Sequence, residues 1–343
     1  MTQTIELGLD SFGDITDGPD GKPLHAAQVI RNLVDEAVLA DEVGVDFIGV
    51  GEHHRADFAV SSPEVVLAAI ASRTKRIRLG SAVTVLSSDD PIRVFQRFST
   101  LDAVSNGRAE VMLGRGSFIE SFPLFGFDLK KYEELFDEKL DLFAAVLTQQ
   151  PVTWRGTLRP PLADQGVFPK TESGRLTTWI GVGGTPQSVM RAAHYGMPMM
   201  LAIIGGDPKR FAPFADLYRN ALKELGKGEL PVGVHSHGFV GETDAQARED
   251  LFADYKRMCD KIGAERGWPP FGRAEFEREI ERGSLYVGAP ETVARKIAAT
   301  AKALGVARFD MKYSAGPLSH EKMMRCIELY GRKVIPLVRD MLA

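Results

Sequence analysis

Short strand-like apolar runs alternate with helix-length amphipathic segments along most of this 343-residue chain. Strand patterns fall at residues 5–10, 46–50, 77–85, 109–113, 179–181, 199–204, 232–240 and 309–312. Helical patterns fall at 26–43, 63–74, 91–104, 131–147, 186–194, 208–225, 244–262, 290–304 and 319–341. In the first of these, Val29, Ile30, Leu33, Ala37 and Ala40 recur at the three- and four-residue spacing of one helix face. Helix starts are marked as well: Ser62 precedes Pro63, and Ala289-Pro290-Glu291 opens the segment 290–304. Proline suits the first helical position, where its missing N–H would have no partner anyway. Parallel strands need crossovers of a dozen residues or more, usually helical. Eight strands joined this way predict an α/β fold, a (β/α)8 TIM barrel with insertion loops, as a single domain over 1–343. A doubly wound open sheet is the alternative. No strand here is followed by the Gly-x-Gly-x-x-Gly turn of the dinucleotide-binding version.

Two stretches interrupt the alternation. Residues 149–178 are rich in Pro, Gly and Thr around Trp154 and read as an excursion with a small hairpin. Residues 263–283 are charged, contain Trp268-Pro269-Pro270 and read as a second excursion. A formal net charge of -4 argues against a polyanionic partner, so nucleic acid is excluded. Cys259 and Cys326 lie in helical stretches without metal-ligand spacing, which points to a reducing compartment rather than a disulfide framework. Residues 1–6 lack the basic and apolar regions of a signal peptide. The longest apolar run, 195–205, is too short for a membrane span and contains Pro198. The expectation is a cytoplasmic protein with no membrane contact.

In parallel α/β proteins ligands sit at the carboxyl ends of strands. There Asp46-Phe47-Ile48-Gly49-Val50 runs into Gly51-Glu52-His53-His54-Arg55. Adjacent residues on an extended chain point oppositely, so one histidine can face a barrel mouth while the other packs behind it. A neutral imidazole there can move a proton near pH 7. A backbone cap plus a solvent-facing ring explains the pair equally well. Glu52 either orients its partner or sits outside the mouth. No third ligand stands at a convincing metal spacing, so no metal is assigned. At residues 109–116 a strand ends in Gly114-Arg115-Gly116, a cationic fork between glycines that suits a phosphate, a carboxylate or an electron-rich ring. The alternative is a surface arginine in a turn. Phe118, Phe122, Phe125 and Phe127 follow, and either line an apolar pocket or pack the loop down. Trp179-Ile180-Gly181-Val182-Gly183-Gly184-Thr185-Pro186-Gln187-Ser188 leads a strand through glycines into a helix. Free N–H groups at such a helix start bind phosphate, though a plain structural turn has the same composition. Ser81-Ala82-Val83-Thr84 ends the third strand with small residues that leave room for a flat ligand. His235 and His237 alternate on one strand face, and Asp10 and Ser11 end the first strand.

Taken in order, these segments resemble the bacterial-luciferase-like flavin-dependent monooxygenases. The resembling stretches are Gly51-Glu52-His53-His54, residues 79–91, residues 106–126, Val182 to Ser188 and Gly288-Ala289-Pro290-Glu291-Thr292-Val293. The resemblance implies an FMN-dependent enzyme that uses reduced flavin as co-substrate with dioxygen on a small organic substrate. It also implies a separate NAD(P)H:flavin reductase and a homodimer packed through helices of the second and third units. It places His53 at the reactive face of the flavin, managing a proton. It gives Ser81, Ala82, Val83 and Thr84 to the strand end under the isoalloxazine ring, with a non-proline cis peptide. Arg115, Gly183, Gly184, Thr185 and Ser188 go to the cofactor phosphate, and the segment 263–283 to a lid over substrate. Branches of the same family use the deazaflavin F420 and transfer hydride without oxygen, which is the alternative; a non-catalytic flavin-binding protein is another. Where luciferase carries a reactive cysteine this chain has Gly114, so the resemblance does not extend to light emission.

Overall fold

Eight parallel strands close on themselves in the computed structural model, which describes residues 4–149 and 151–343. They are β1 Glu6–Ser11, β2 Phe47–Val50, β3 Arg78–Ser81, β4 Ala109–Gly114, β5 Thr177–Val182, β6 Met199–Ala202, β7 Val232–Val240 and β8 Arg308–Lys312. Each pairs in parallel with the next, and β8 pairs with both β7 and β1, so the eight close on themselves and the barrel expectation holds; a short strand, Tyr286–Gly288, adds to the end of β7. Helices Ala26–Glu42, Pro63–Arg73, Pro91–Ser105, Tyr132–Thr148, Pro186–Tyr195, Ala212–Glu224, Pro290–Leu304 and His320–Leu329 form the outer layer. The sequence reading of residues 1–3 lies outside the described residues.

Several elements differ from the sequence reading. The third strand breaks after Ser81 and resumes as Thr84–Val85, with a cis peptide between Ala82 and Val83. The first excursion does contain the expected hairpin, Val152–Trp154 antiparallel to Leu162–Gln165. The second excursion is mostly helical. Helix Asp244–Arg266 runs through Gly263, and a further helix spans Arg273–Arg282. That decapeptide buries only Phe276 and Ile280, an i, i+4 pair among charges, which is too few residues to announce a helix. The closing helix is divided by a π-turn at Tyr330–Val334 just before Pro336, where a proline ring would clash with the regular ladder.

Strand side chains alternate between faces. One set, including Leu7, Leu9, Ile48, Val50, Val234 and Phe309, joins the large apolar core with the helices. The other set fills the barrel lumen and is far from apolar. Arg308 is fully buried there and donates from Nε to both Asp310 carboxylate oxygens at 2.9 Å and from an Nη to Glu110 at 2.7 Å. Its guanidinium lies 3.4 Å from the centre of the Phe47 ring. Trp179 donates to the same Glu110 oxygen at 3.0 Å, and Arg78 reaches the other at 2.5 Å.

Glycine makes this packing possible. A Cβ at Gly8 would stand 2.1 Å from an Asp310 oxygen, and one at Gly80 would stand 2.8 Å from the Phe47 ring. Above the ionic layer Met112, Trp179 and Met200 form a small separate apolar cluster with Val83 against it. Removing the cation alone strands two buried carboxylates. Arg308→Met is therefore expected to cost about 3–5 kcal/mol in chemical unfolding at neutral pH. The loss should shrink in acid, where the carboxylates protonate; a pH-independent loss would count against the ionic account.

Candidate active site

The carboxyl ends of the barrel strands open into a cavity of about 680 Å³. Its floor is the cis-linked Ala82-Val83 together with Met112 and Met200. Gly114 and Gly181 bare the strands around it: a Cβ on either would meet the Val83 side chain, at 2.6 and 3.3 Å. A cysteine at position 114 would collide with Val83 in this arrangement. Volume and lining suit a flat ring system carrying a few polar groups.

His53 stands on one wall because β2 ends at Val50 and the chain turns outward there. Its backbone N–H donates to the Val60 carbonyl at 3.0 Å. The imidazole stacks on Phe58 at 4.1 Å between ring centres and lies 4.8 Å from Phe12. Burial pushes His53 down to about 4, so it is neutral at physiological pH, and its buried Nδ1 has no protein partner. His54 points the other way and lies 2.9 Å through Nε2 from Glu52, whose second oxygen accepts from the Val85 N–H at 2.9 Å. Glu52 and His54 border both the main cavity and a smaller neighbouring one of about 430 Å³. Phe118 lines the main cavity, Phe125 and Phe127 the smaller one, and Phe122 is buried.

The proposed phosphate side is assembled only in part. Arg115 and Gly183 both line the main cavity. A Cβ at Gly183 would meet nothing, so this backbone faces open space. Thr185 caps the following helix by accepting from the Ser188 N–H at 3.4 Å, and the two hydroxyls lie 2.9 Å apart. Gly184, Thr185 and Ser188 thus shape the turn without lining the cavity. Arg115 and Arg191 both pair with Glu133. Ser81 and Thr84 are buried behind the floor, where the Thr84 hydroxyl donates to Ser81 and Ser81 bonds the Met112 backbone.

Other groups at the site escaped the sequence reading. Lys312, nearly fully buried on β8, reaches Asp14 at 3.1 Å and the Ser314 hydroxyl at 3.1 Å. Burial pushes the Asp14 carboxyl up, but Lys312, Ser314 and the Gly316 N–H outweigh it and hold it below its usual range. His235 and His237 do face the lumen, and burial pushes His237 well down. Over the mouth lie Ile262 of helix Asp244–Arg266 and Trp268 and Phe271 of the second excursion. Arg55 ties this cover down by pairing with Glu265 at the helix end and with Glu120 of the β4 loop. The alternation of His235 with His237 was readable on one strand; the Lys312–Asp14 pair, 298 residues apart, left no local trace. Among the described residues no group of three or more His, Cys, Asp or Glu is placed to hold a metal ion.

Comparison with known proteins agrees with this geometry. The model of the luciferase-like monooxygenase family matches residues 12–308. The 4-hydroxyprotoasukamycin monooxygenase of Streptomyces nodosus subsp. asukaensis is 28% identical over 313 residues, covering 86% of this chain and 83% of that protein. The crystal structure of monooxygenase RslO1 from Streptomyces bottropensis superposes with a TM-score of 0.85 at 22% identity, covering 97% of this chain and 99% of that one. The FMN complex of the oxygenating constituent of 3,6-diketocamphane monooxygenase from Pseudomonas putida gives 0.78 at 19% identity, over 97% and 98%. An F420-dependent secondary alcohol dehydrogenase holding an F420-acetone adduct gives 0.74 at 17%, over 98% and 99%. The fold is therefore shared by flavin and deazaflavin enzymes.

His53 supplies a pH test of the site. The folded protein refuses a proton that the unfolded chain accepts below about 6.5, so stability should fall as pH drops from 6.5 and level off below about 4. Melting temperatures of wild type and His53→Asn across this range should diverge toward acid, with the wild type losing more. Parallel curves would remove the buried neutral imidazole.

Proposed function

The chain belongs to the luciferase-like monooxygenase family, and from that premise we propose that its main cavity binds FMN over Ala82-Val83. It is a monooxygenase that uses reduced flavin and dioxygen on a small organic substrate. The observation that carries the FMN placement is the cavity itself. An apolar floor wide enough for a ring system adjoins open backbone at Gly183, a helix start and the Arg115 guanidinium. That donor set suits a phosphate monoester. Bound FMN would supply the redox chemistry with dioxygen.

The chain's own residues bind, shield and manage a proton. Gly183 and Arg115 approach the phosphate, while Gly184, Thr185 and Ser188 hold the turn. Ser81 and Thr84 brace the floor from behind. Phe58, Phe118 and Trp268 keep water from the reacting face. His53, neutral and with a free Nδ1, holds or passes a proton there. The chain's matched relatives include an alkanal monooxygenase alpha chain of the Kryptophanaron alfredi symbiont, 27% identical over 68% of this chain and 65% of that protein. The reading includes a separate flavin reductase as the source of reduced FMN and a homodimer. It also includes a cytoplasmic location, in keeping with the free thiols of Cys259 and Cys326. No helix among the described residues is long and apolar enough to cross a membrane.

Equilibrium binding distinguishes the cofactors. Oxidised and reduced FMN should quench in fluorescence titration and F420 should bind weakly; tight F420 binding with weak binding of both FMN forms would sink the monooxygenase assignment. Two substitutions test the roles. Gly183→Val should leave the melting temperature unchanged, since nothing stands within 4 Å of its Cβ, and weaken FMN binding by about tenfold or more. His53→Ala should keep most FMN affinity and lose on the order of 10²-fold in substrate oxidation; unchanged turnover would take His53 out of the mechanism.

A further inference from the structure

Asp10 and His235 form a buried pair in the barrel mouth that the flavin assignment leaves unused. Asp10 has no exposed surface and His235 is 9% exposed. His235 Nδ1 lies 2.6 Å from Asp10 Oδ2. An ionised carboxylate can only accept, so Nδ1 carries the proton and Nε2 is left as the basic nitrogen. The backbone is cut away to admit this pair: a Cβ at Gly49 would stand 1.9 Å from Asp10 Oδ1. His235 lines the main cavity, and the Phe12 ring stacks on it at 5.8 Å with an interplanar angle of 6°. Phe12 also contacts His53, so the two imidazoles flank one aromatic ring on the same wall. Other ionisable groups nearby are Asp310, His237 and Lys312 on β7 and β8, Asp14 paired with Lys312, Tyr255 beside His237, and Tyr330. Tyr255, Met258, Ile262 and Phe271 face this end of the cavity with mostly apolar surface.

Two histidines on one wall divide the labour. His53 is held neutral by burial, which makes it a poor acceptor for a substrate proton at neutral pH. His235 has the carboxylate that a working base needs to orient it and to stabilise its imidazolium. We propose that His235, positioned by Asp10, is a catalytic base that deprotonates a phenolic hydroxyl on an otherwise apolar substrate. An aliphatic alcohol is too weak an acid for imidazole, and a carboxylic acid is already ionised, whereas a phenol, with a pKa near 10, lies within reach. The phenol O–H bond breaks and an Nε2–H bond forms. The electron pair stays on oxygen and is shared into the ring, which becomes more nucleophilic toward the oxygen atom that the monooxygenase delivers. The balance is phenol, dioxygen and reduced flavin to hydroxylated phenol, water and oxidised flavin, so no further oxidant is needed. The proposal rests on the monooxygenase reading for its oxygen donor.

The test uses 4-nitrophenol, whose phenol and phenolate absorb at different wavelengths, with the full chain in the presence and absence of FMN. At a pH where the free probe is mostly protonated, binding to wild type should raise the phenolate band. His235→Asn should bind the probe and lower the bound phenolate by about tenfold. Asp10→Asn should lower the phenolate fraction while probe affinity stays close to wild type; a merely structural role would lower both. His53→Asn should keep the band. A band that persists in His235→Asn, vanishes in His53→Asn instead, or never forms in wild type overturns the proposal. Should His235→Asn fail to fold by circular dichroism, His235→Gln takes its place under the same criteria. FMN titration of each variant separates the two readings: FMN binding without a band refutes this proposal alone, and a band without FMN binding refutes the cofactor assignment alone.

Discussion

A guanidinium sealed inside the barrel constrains much of what is built above it. Arg308 has no exposed surface, and desolvating its charge costs several kcal/mol unless carboxylates and hydrogen bonds answer it. Asp310 and Glu110 answer it directly, and Phe47 and Trp179 offer their ring faces. Cα-adjacent strands then have to surrender their side chains, which is why Gly8 and Gly80 stand where a barrel of this kind would ordinarily carry branched apolar residues. The lower lumen is filled by charge and rings, and the upper lumen is kept shallow by Gly49, Gly114 and Gly181. The cavity sits where the ionic layer stops.

The same charge network reaches toward the chemistry. Burial pushes Asp310 upward against the pull of Arg308, and Asp10 adds to that push. Asp10 in turn holds His235, two strand positions below His237. On the next strand Arg308, Asp310 and Lys312 occupy the alternate inward positions, so one five-residue strand carries structural charge at its base and a cavity-facing amine at its top. Removing a charge low in the lumen therefore alters the electrostatics of groups at the mouth through direct neighbours.

The periodic part of this architecture was legible in the sequence. Alternation of strand and helix predicts parallel strands, which here close into the barrel rather than the open sheet, and the segments at His53, Arg115 and Gly183 end on strands whose carboxyl ends share one cavity. What was hidden is non-local or sparse. Arg308 and Glu110 are 198 residues apart and His235 and Asp10 are 225 apart, so no window of sequence contains either pair. The strand Arg-Phe-Asp-Met-Lys alternates charged and apolar residues, yet all five are buried, because its charged face meets other charges rather than water. The turn at Thr185 and Ser188 carried the composition of a ligand cradle, and the structure spends those hydroxyls on the helix start.

Floor and cover are held by interactions of different strength, and this decides which of them can move. Val83, Met112 and Met200 belong to a buried cluster braced by Ser81 and Thr84, so displacing the floor would expose apolar surface and break buried hydrogen bonds. The cover is tied by charges nearer the solvent. Arg55 is 10% exposed, but its partners Glu120 and Glu265 are 35% and 43% exposed, and Lys261, which binds Asp57, is 55% exposed. Pairs of that kind contribute about 0–1 kcal/mol each and weaken with salt. Helix Arg273–Arg282 adds only Phe276 and Ile280 to the buried set. Opening the mouth on the side formed by Trp268, Phe271 and Arg266 thus costs far less than deforming the floor.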